Sequence, residues 1–389
     1  MHRPGLHPRS VRWTDRALGR DPRDPAARPA WLPRGTDELL LTAALRADEV
    51  GRTAWERFVA TGRTPDPEQE RLLPLVADRR HDAPDHPWLA RGRALRAFTR
   101  ARAHWITHRA APVVAALTGA HGPPLLLKGL PLALWHYPDP GLRPLHDLDL
   151  LVRPVDFPAA LAALEARGYT LPVPLDPAFV VDARGMDARA PDGGLDVDVH
   201  WQVHRAIALP GAPAAWGRTF FSTPLPDDPV WGRSVSGAVA DVPVRVPSPA
   251  DLLLHVVVHA AAASGDRALR WAADAAFLVA GGGIDWAVVT ADARRRGTTT
   301  ELTQGLRFLR DAFAVAVPDT VLDRLDATPV GIRETIAHTA RTGPPPDDRH
   351  RTRRHAAAWV SRTAVEPWPV VVASAPRYLR SLTLRTRPT

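Results

Sequence analysis

Residues 125–152 read LLLKGLPLALWHYPDPGLRPLHDLDLLV, and the folding of that stretch decides the architecture around it. Leu125-Leu126-Leu127 is a short continuous apolar run, as a strand buried on both faces would be. Gly129 and Pro131 follow. Proline in a first helical turn costs nothing, because its missing N–H would have no partner there, so Leu130–Tyr137 is expected to form a short helix. Pro138–Leu145 contains Pro-Asp-Pro-Gly and must turn. His146–Val152 then reads as a second strand. Alternate side chains of a strand share a face, which groups Asp147 with Asp149 and sets Leu148 and Leu150 on the other side.

Downstream, Asp156 is expected to cap a helix reaching about Arg167, which Gly168 ends. The Asp192-Gly193-Gly194 turn leads into a strand over Leu195–Trp201. There Asp196, Asp198 and His200 share one face, and Val197, Val199 and Trp201 the other. A further strand is expected near Val242–Val246. Ser248-Pro249-Ala250-Asp251 is a capping-box sequence ahead of a helix over Leu252–Ala263. Helical patterns also cover Leu269–Val279, Trp286–Arg296 and Thr300–Phe313.

Upstream, Leu39, Leu40, Ala43 and Leu45 open one apolar stripe, and Trp55, Phe58 and Val59 sit on another. A long helical stretch from about Trp88 to Leu117 carries Leu89, Leu95, Phe98, Trp105 and Ile106. These helices read as packing elements without a catalytic grouping. The expected organisation is α+β, in five parts. A basic Pro/Arg-rich tail (1–36) precedes a helical region (37–120) and a mixed α/β core (121–206). A connecting strand with a C-terminal helical subdomain (207–340) follows, then a basic Pro/Arg-rich segment (341–389).

The chain has 389 residues, 45% hydrophobic and 24% charged, an ordinary balance for a soluble globular protein. It contains no cysteine, which excludes disulfide frameworks, thiolate nucleophiles, cysteine zinc sites and iron–sulfur clusters. No apolar run approaches the roughly 18 residues of a membrane span, and the Arg-rich N-terminus lacks the apolar segment of a secretory signal. The expected location is therefore the cytoplasm, with no membrane partner. The net charge of +8 comes from the ends, where residues 1–35 carry eight Arg against three Asp and residues 341–389 ten Arg against three acids. The body is mildly acidic, so a nucleic-acid grip is not favoured. Of the 50 Lys and Arg residues, Lys128 is the single lysine. Its survival among so many arginines suggests a position that wants a compact ammonium rather than a planar fork.

The chemistry gathers on two acidic strands. Carboxylates side by side repel one another and are expensive near a core unless a cation sits between them, and hard divalent ions are natural occupants. Asp147 with Asp149, and Asp196 with Asp198, offer such a set. Lys128-Gly129 supplies the complement: a strand end feeding a helix, where a glycine permits close approach of phosphate and the lysine adds a point charge. Arg143 is a second phosphate cation. Phosphate donors beside a carboxylate cluster are the equipment of two-metal phosphoryl or nucleotidyl transfer.

The run over residues 125–152 resembles the strand–Lys-Gly–helix–Tyr-Pro–Arg–DxD signature of the uncharacterised nucleotidyltransferase family, in the DNA polymerase β-like superfamily. DVHWQVH (198–204) resembles that family's carboxylate-x-His-Trp strand. PSPADLLLHVVVHAA (247–261) and LRWAADAAFLV (269–279) resemble its downstream helical half, so the likeness extends over roughly residues 37–335. It implies a polymerase β-like core, a small mixed sheet flanked by helical subdomains. It also implies Mg²⁺ or Mn²⁺ and an NTP donor, with Asp147 and Asp149 as metal pair, Asp198 as third carboxylate and Asp196 as its fallback. The superfamily's glycine–serine phosphate motif is here Lys128-Gly129, without the hydroxyl. His200, His259 and Arg270 are candidate nucleotide contacts. His255 with His259, and His200 with His204, could be read as a zinc site, but histidines at such spacing more often line a packed interface. Arg270 and Asp274 read most simply as an i,i+4 helix pair, and Trp135 and Trp201 as core.

The expected activity is transfer of an NMP group from an NTP to a hydroxyl-bearing acceptor with release of pyrophosphate. Phosphoryl transfer on the same scaffold, or a non-catalytic nucleotide- or RNA-binding module, is the alternative. The acceptor stays open among a small molecule, a peptide or protein, and a tRNA end. Its pocket is expected between the α/β unit and the helical half.

Overall fold

The computed structural model describes residues 28–81, 83, 85–153, 155–171, 185–201, 229–262, 268–331, 334, 335, 338 and 342. Most of both expected basic segments, and His204, lie outside the described residues. Among the described residues, five helices precede the sheet: α1 (Thr36–Leu45), α2 (Glu49–Ala60), α3 (Pro67–Glu70), α4 (Leu73–Arg79) and α5 (Pro87–Leu117). The central unit runs β1 (Leu125–Leu126), α6 (Gly129–Trp135), β2 (Leu148–Leu151), α7 (Phe157–Glu165), β3 (Gly185–Ala188) and β4 (Val197–His200). It is completed by α8 (Pro229–Arg233), β5 (Val235–Val239) and β6 (Val242–Val246). The helices α9 (Pro249–Ala262), α10 (Arg270–Gly281), α11 (Trp286–Arg296), α12 (Thr299–Phe313) and α13 (Asp319–Ala327) follow. The protein is a mixed α+β structure, as its sequence implies.

The described strands form one mixed sheet in the order β3-β4-β2-β1-β6-β5. β2 runs parallel to β4 and β1 parallel to β6, while β1–β2, β3–β4 and β5–β6 pair antiparallel. The register sets Asp149 beside Asp198, and Asp187 of β3 opposite Asp198 on its other side. Strand alternation then divides the chemistry. Leu148, Leu150, Val197 and Val199 point into a core built with Ile106 and Val114 of α5 and Phe157 and Leu161 of α7. Asp149, Asp198 and His200 take the opposite face, where Leu125, Leu127 and Leu151 pack with Val230.

A second core joins the two helical regions. Leu40, Phe58, Leu73 and Leu89 from the N-terminal helices share it with Leu253, Trp271, Leu302, Phe313 and Leu322 from the C-terminal ones. Helices far apart in sequence thus close on each other. Local signals set several of the ends. Asp66 and Gln69 make a reciprocal capping box on α3. Asp285 accepts from the Ala287 and Val288 amides at the start of α11, and Gly297, at φ 60°, ends it in the left-handed conformation.

Three local expectations are corrected. Asp156 precedes α7 in a helical conformation and makes no side-chain cap; its carboxylate pairs instead with His121 Nδ1 at 2.9 Å. Trp135, at the exposed end of a short helix, is 41% exposed rather than core, whereas Trp201 is buried against Phe157. Asp274 does not pair with Arg270 along α10. A buried carboxylate is best met by a two-pronged guanidinium, and Arg143 reaches it from another element.

Candidate active site

On the polar face of the sheet, four side chains from three elements converge. Asp149 comes from β2, Asp198 and His200 from β4, and Lys128 from the junction of β1 and α6. Lys128 Nζ donates to Asp149 Oδ1 and lies 3.3 Å from Asp198 Oδ2. His200 Nε2 is 2.7 Å from Asp198 Oδ2 and 3.3 Å from Asp149 Oδ1. Asp149 and His200 are 4% and 2% exposed, so little solvent reaches the carboxylate and its charge depends on the Lys128 ammonium and the hydrogen-bond partners around it. Burial alone would push the Asp149 carboxyl up, but the Lys128 ammonium and the His200 hydrogen bond outweigh it and hold the carboxyl below its ordinary value. Lys128 has φ 50° and ψ −112°, a conformation unusual for a residue with a side chain. Such strain persists where the surroundings fix the residue, and functional sites are where it gathers.

Beside this cluster opens a cavity of about 370 Å³, within the size range of small-molecule sites. Lys128, Gly129, Asp147 and Asp149 form one wall, His255, His259, Arg270 and Trp271 another, and Glu68 and Arg71 a third. The cavity thus lies where the α/β unit meets both helical regions. Arg143, also in the lining, is fixed by a buried bidentate pair, with Nε and Nη2 each donating to Asp274 at 2.8 Å, while Tyr137 Oη donates to the same carboxylate at 2.8 Å. Arg270 Nη1 donates to the Pro144 carbonyl at 2.7 Å. These bonds tie α10 to the loop that leads into β2, and so fix where the acids stand relative to the cavity.

The cavity lining carries Arg71, Lys128, Arg143 and Arg270 together with Glu68, Asp147, Asp149 and Asp274, so cations and acids are balanced along it. Burial, then the neighbouring Arg143 charge, lowers Arg270 to about 10. His146, at the cavity wall, is lowered to about 4 by burial and then by Arg71, Arg270, Arg102 and Arg143. In both, burial is the largest cause and neighbouring arginine charge comes next; for Arg270, Asp274 and Glu68 act the other way. Asp147 moves the other way: restricted solvent, then the Asp149 charge, raises its carboxyl.

The residues singled out from the sequence fall into three groups. Asp149, Asp198, His200 and Lys128 meet directly. Asp147, Gly129, Arg143, His259 and Arg270 line the cavity, with the His259 ring stacked on His255 at 5.6 Å between centroids. Asp196 stands apart, its Oδ1 accepting the Ala190 amide at 2.9 Å. A methyl group on Gly129 would come within 2.9 Å of Arg143 Nη1, so this glycine gives the buried arginine its room. Sequence reasoning missed Glu68 and Arg71, which belong to a short capped helix with no marker of function. It also missed Asp187 and Gly185 on β3. A Cβ at Gly185 would lie 2.9 Å from His200 Nδ1 and 3.0 Å from Asp198 Oδ1, so only glycine lets β3 close over the cluster.

The donor set suits a divalent cation. Asp149, Asp198 and His200 each offer one ligand atom, and these lie within 4.8 Å of one another. Two carboxylates match the oxygen preference of Mg²⁺, and the imbalance of negative charge that Lys128 now offsets is what such an ion would neutralise. His200, hydrogen-bonded to Asp198, orients that carboxylate. Asp147 adjoins the group from the cavity side.

Residues 53–314, more than half of the chain, match the family model described as an uncharacterised nucleotidyltransferase. No curated protein and no solved structure matches the chain. The matched span holds the whole sheet, the acid cluster and all three walls of the cavity, and the chain belongs to the uncharacterised nucleotidyltransferase family.

Proposed function

We propose that this protein moves an NMP group from an NTP to a hydroxyl-bearing acceptor, with divalent metal held by Asp149 and Asp198 beside His200 and with Asp147, outside that compact group, completing the site from the cavity lining. The observation that carries this reading is an Asp–Asp–His group beside a cavity whose lining also brings in Arg71, Arg143 and Arg270. When bound, Mg²⁺ or Mn²⁺ supplies neutralisation of the triphosphate and acidifies the acceptor hydroxyl. Arg270 and Arg143 hold the β- and γ-phosphates, with Lys128 and Gly129 at the same wall and His259 facing them. Asp198, the more exposed of the two clustered acids, takes the acceptor's proton as its oxygen bonds the α-phosphorus. The bond from the α-phosphorus to the bridging oxygen breaks, and pyrophosphate departs into the arginine-lined end.

Product analysis separates this from phosphoryl transfer. Incubation with Mg²⁺, each NTP and fractionated cell extract should release pyrophosphate, and the active fraction (RNA, protein or peptide, small molecules) identifies the acceptor class. Release of nucleoside diphosphate instead would support phosphoryl transfer. A second expectation concerns binding. Replacing Arg270 by Gln should weaken Mg²⁺–NTP binding about 10- to 100-fold, the worth of a charge-assisted hydrogen bond to phosphate. Calorimetric titration reads this, and an unchanged affinity would remove Arg270 from the phosphate site.

A further inference from the structure

Lys128 is the chain's sole lysine, and its ammonium rests on the atoms that would ligate a divalent ion. Nζ contacts Asp149 Oδ1, Asp198 Oδ2 and His200 Nε2, and ligand atoms of those same three residues form the compact group. An ammonium and a divalent ion on shared oxygens repel one another, so the two occupancies exclude each other. Lys128 also lines the cavity, and its side chain is 19% exposed, so the stem borders both the acids and the open space where phosphates would lie. A guanidinium could not make the same exchange: its planar fork needs fixed partners, whereas an ammonium on four methylenes carries three donors through a rotation. The backbone at Lys128, φ 50° and ψ −112°, is a strained conformation for a residue with a side chain.

We propose that Lys128 is a resident counter-ion that the divalent metal displaces, and that the released ammonium moves into the cavity to meet the donor's phosphates. The inference rests on the reading of Asp149 and Asp198 as metal ligands. Without metal, Lys128 keeps the buried acids paired. Metal alone binds against that pairing. Metal and NTP together bind cooperatively, because the displaced ammonium finds a new partner only when phosphate is present.

A single lysine makes the test direct. Full-length protein labelled with ¹³C-lysine gives one lysine side-chain spectrum, followed during addition of Mg²⁺ and then of a non-hydrolysable α,β-methylene NTP. The Cε signal should shift with Mg²⁺ and shift again with the nucleotide. In parallel, Mn²⁺ titration by electron paramagnetic resonance compares wild type with Lys128→Met, which should bind Mn²⁺ about tenfold more tightly. NTP should raise Mn²⁺ affinity in the wild type and much less in the variant. Equal Mn²⁺ affinity in the two proteins, with the lysine signal unmoved, would overturn the displacement while leaving the metal site standing. Absence of Mn²⁺ binding in both, with and without NTP, would overturn the metal reading itself. If Lys128→Met does not fold, the wild-type lysine signal alone decides.

Discussion

Asp149→Asn should lower NMP transfer by about 10³- to 10⁴-fold, since loss of a metal-coordinating charge removes several kcal/mol of transition-state stabilisation. The change should leave the protein folded. Asparagine keeps the shape and one acceptor oxygen for Lys128, whose ammonium still has Asp198 at 3.3 Å. The Asp149 carboxyl is held below its ordinary value, so its pairing contributes stability at neutral pH. That contribution is lost as pH falls through the lowered folded-state value, from roughly pH 4 downward. The variant should therefore show a shallower acid-side loss of stability than the wild type. Rate assays and thermal melts across pH check both parts. Wild-type turnover in Asp149→Asn would remove this residue from the chemistry.

Asp274→Asn should destabilise the protein by about 3–5 kcal/mol, the usual cost of leaving a buried charge without its partner. Arg143 and Asp274 are 6% and 3% exposed, and Tyr137 depends on the same carboxylate. Burial alone would lower the Arg143 guanidinium, but the Asp274 charge more than offsets it and the net shift is upward, as expected for a pair that must stay charged together. Denaturant unfolding measures the loss. The double variant Arg143→Met with Asp274→Leu should recover most of the stability, because well-packed apolar residues can replace a buried pair, while still losing NTP affinity. Failure of the double variant to recover stability would show that the pair is needed for packing as well as for charge.

The core of the site was legible because strand alternation is a local rule. Period-two spacing in HDLDLL and DVDVHW sets acids on one face and aliphatics on the other, and the sheet register then brings Asp149 beside Asp198. What escaped the sequence depends on elements meeting across space. Arg270 and Asp274 have the spacing of a helix pair, yet α10 is packed against the loop before β2, and Asp274 takes the distant Arg143 instead. Lys128 looked like a phosphate ligand because its neighbours in sequence are a strand end and a glycine. Its neighbours in space are carboxylates. Edge strand β5, with Gly237 in its middle, carries little strand signal. The short helix α13 had one, in Pro318-Asp319 ahead of Val321, Leu322 and Leu325, whose burial confirms it as a packing element.

The most direct measurement supplies Mg²⁺, cell extract and the purified protein with α-labelled or γ-labelled NTP in parallel, beside Asp149→Asn. Nucleotidyl transfer requires that acceptor label come from the α position, be absent from the γ reaction, and disappear in the variant. Label arriving from the γ position alone, or persisting in Asp149→Asn, would contradict it.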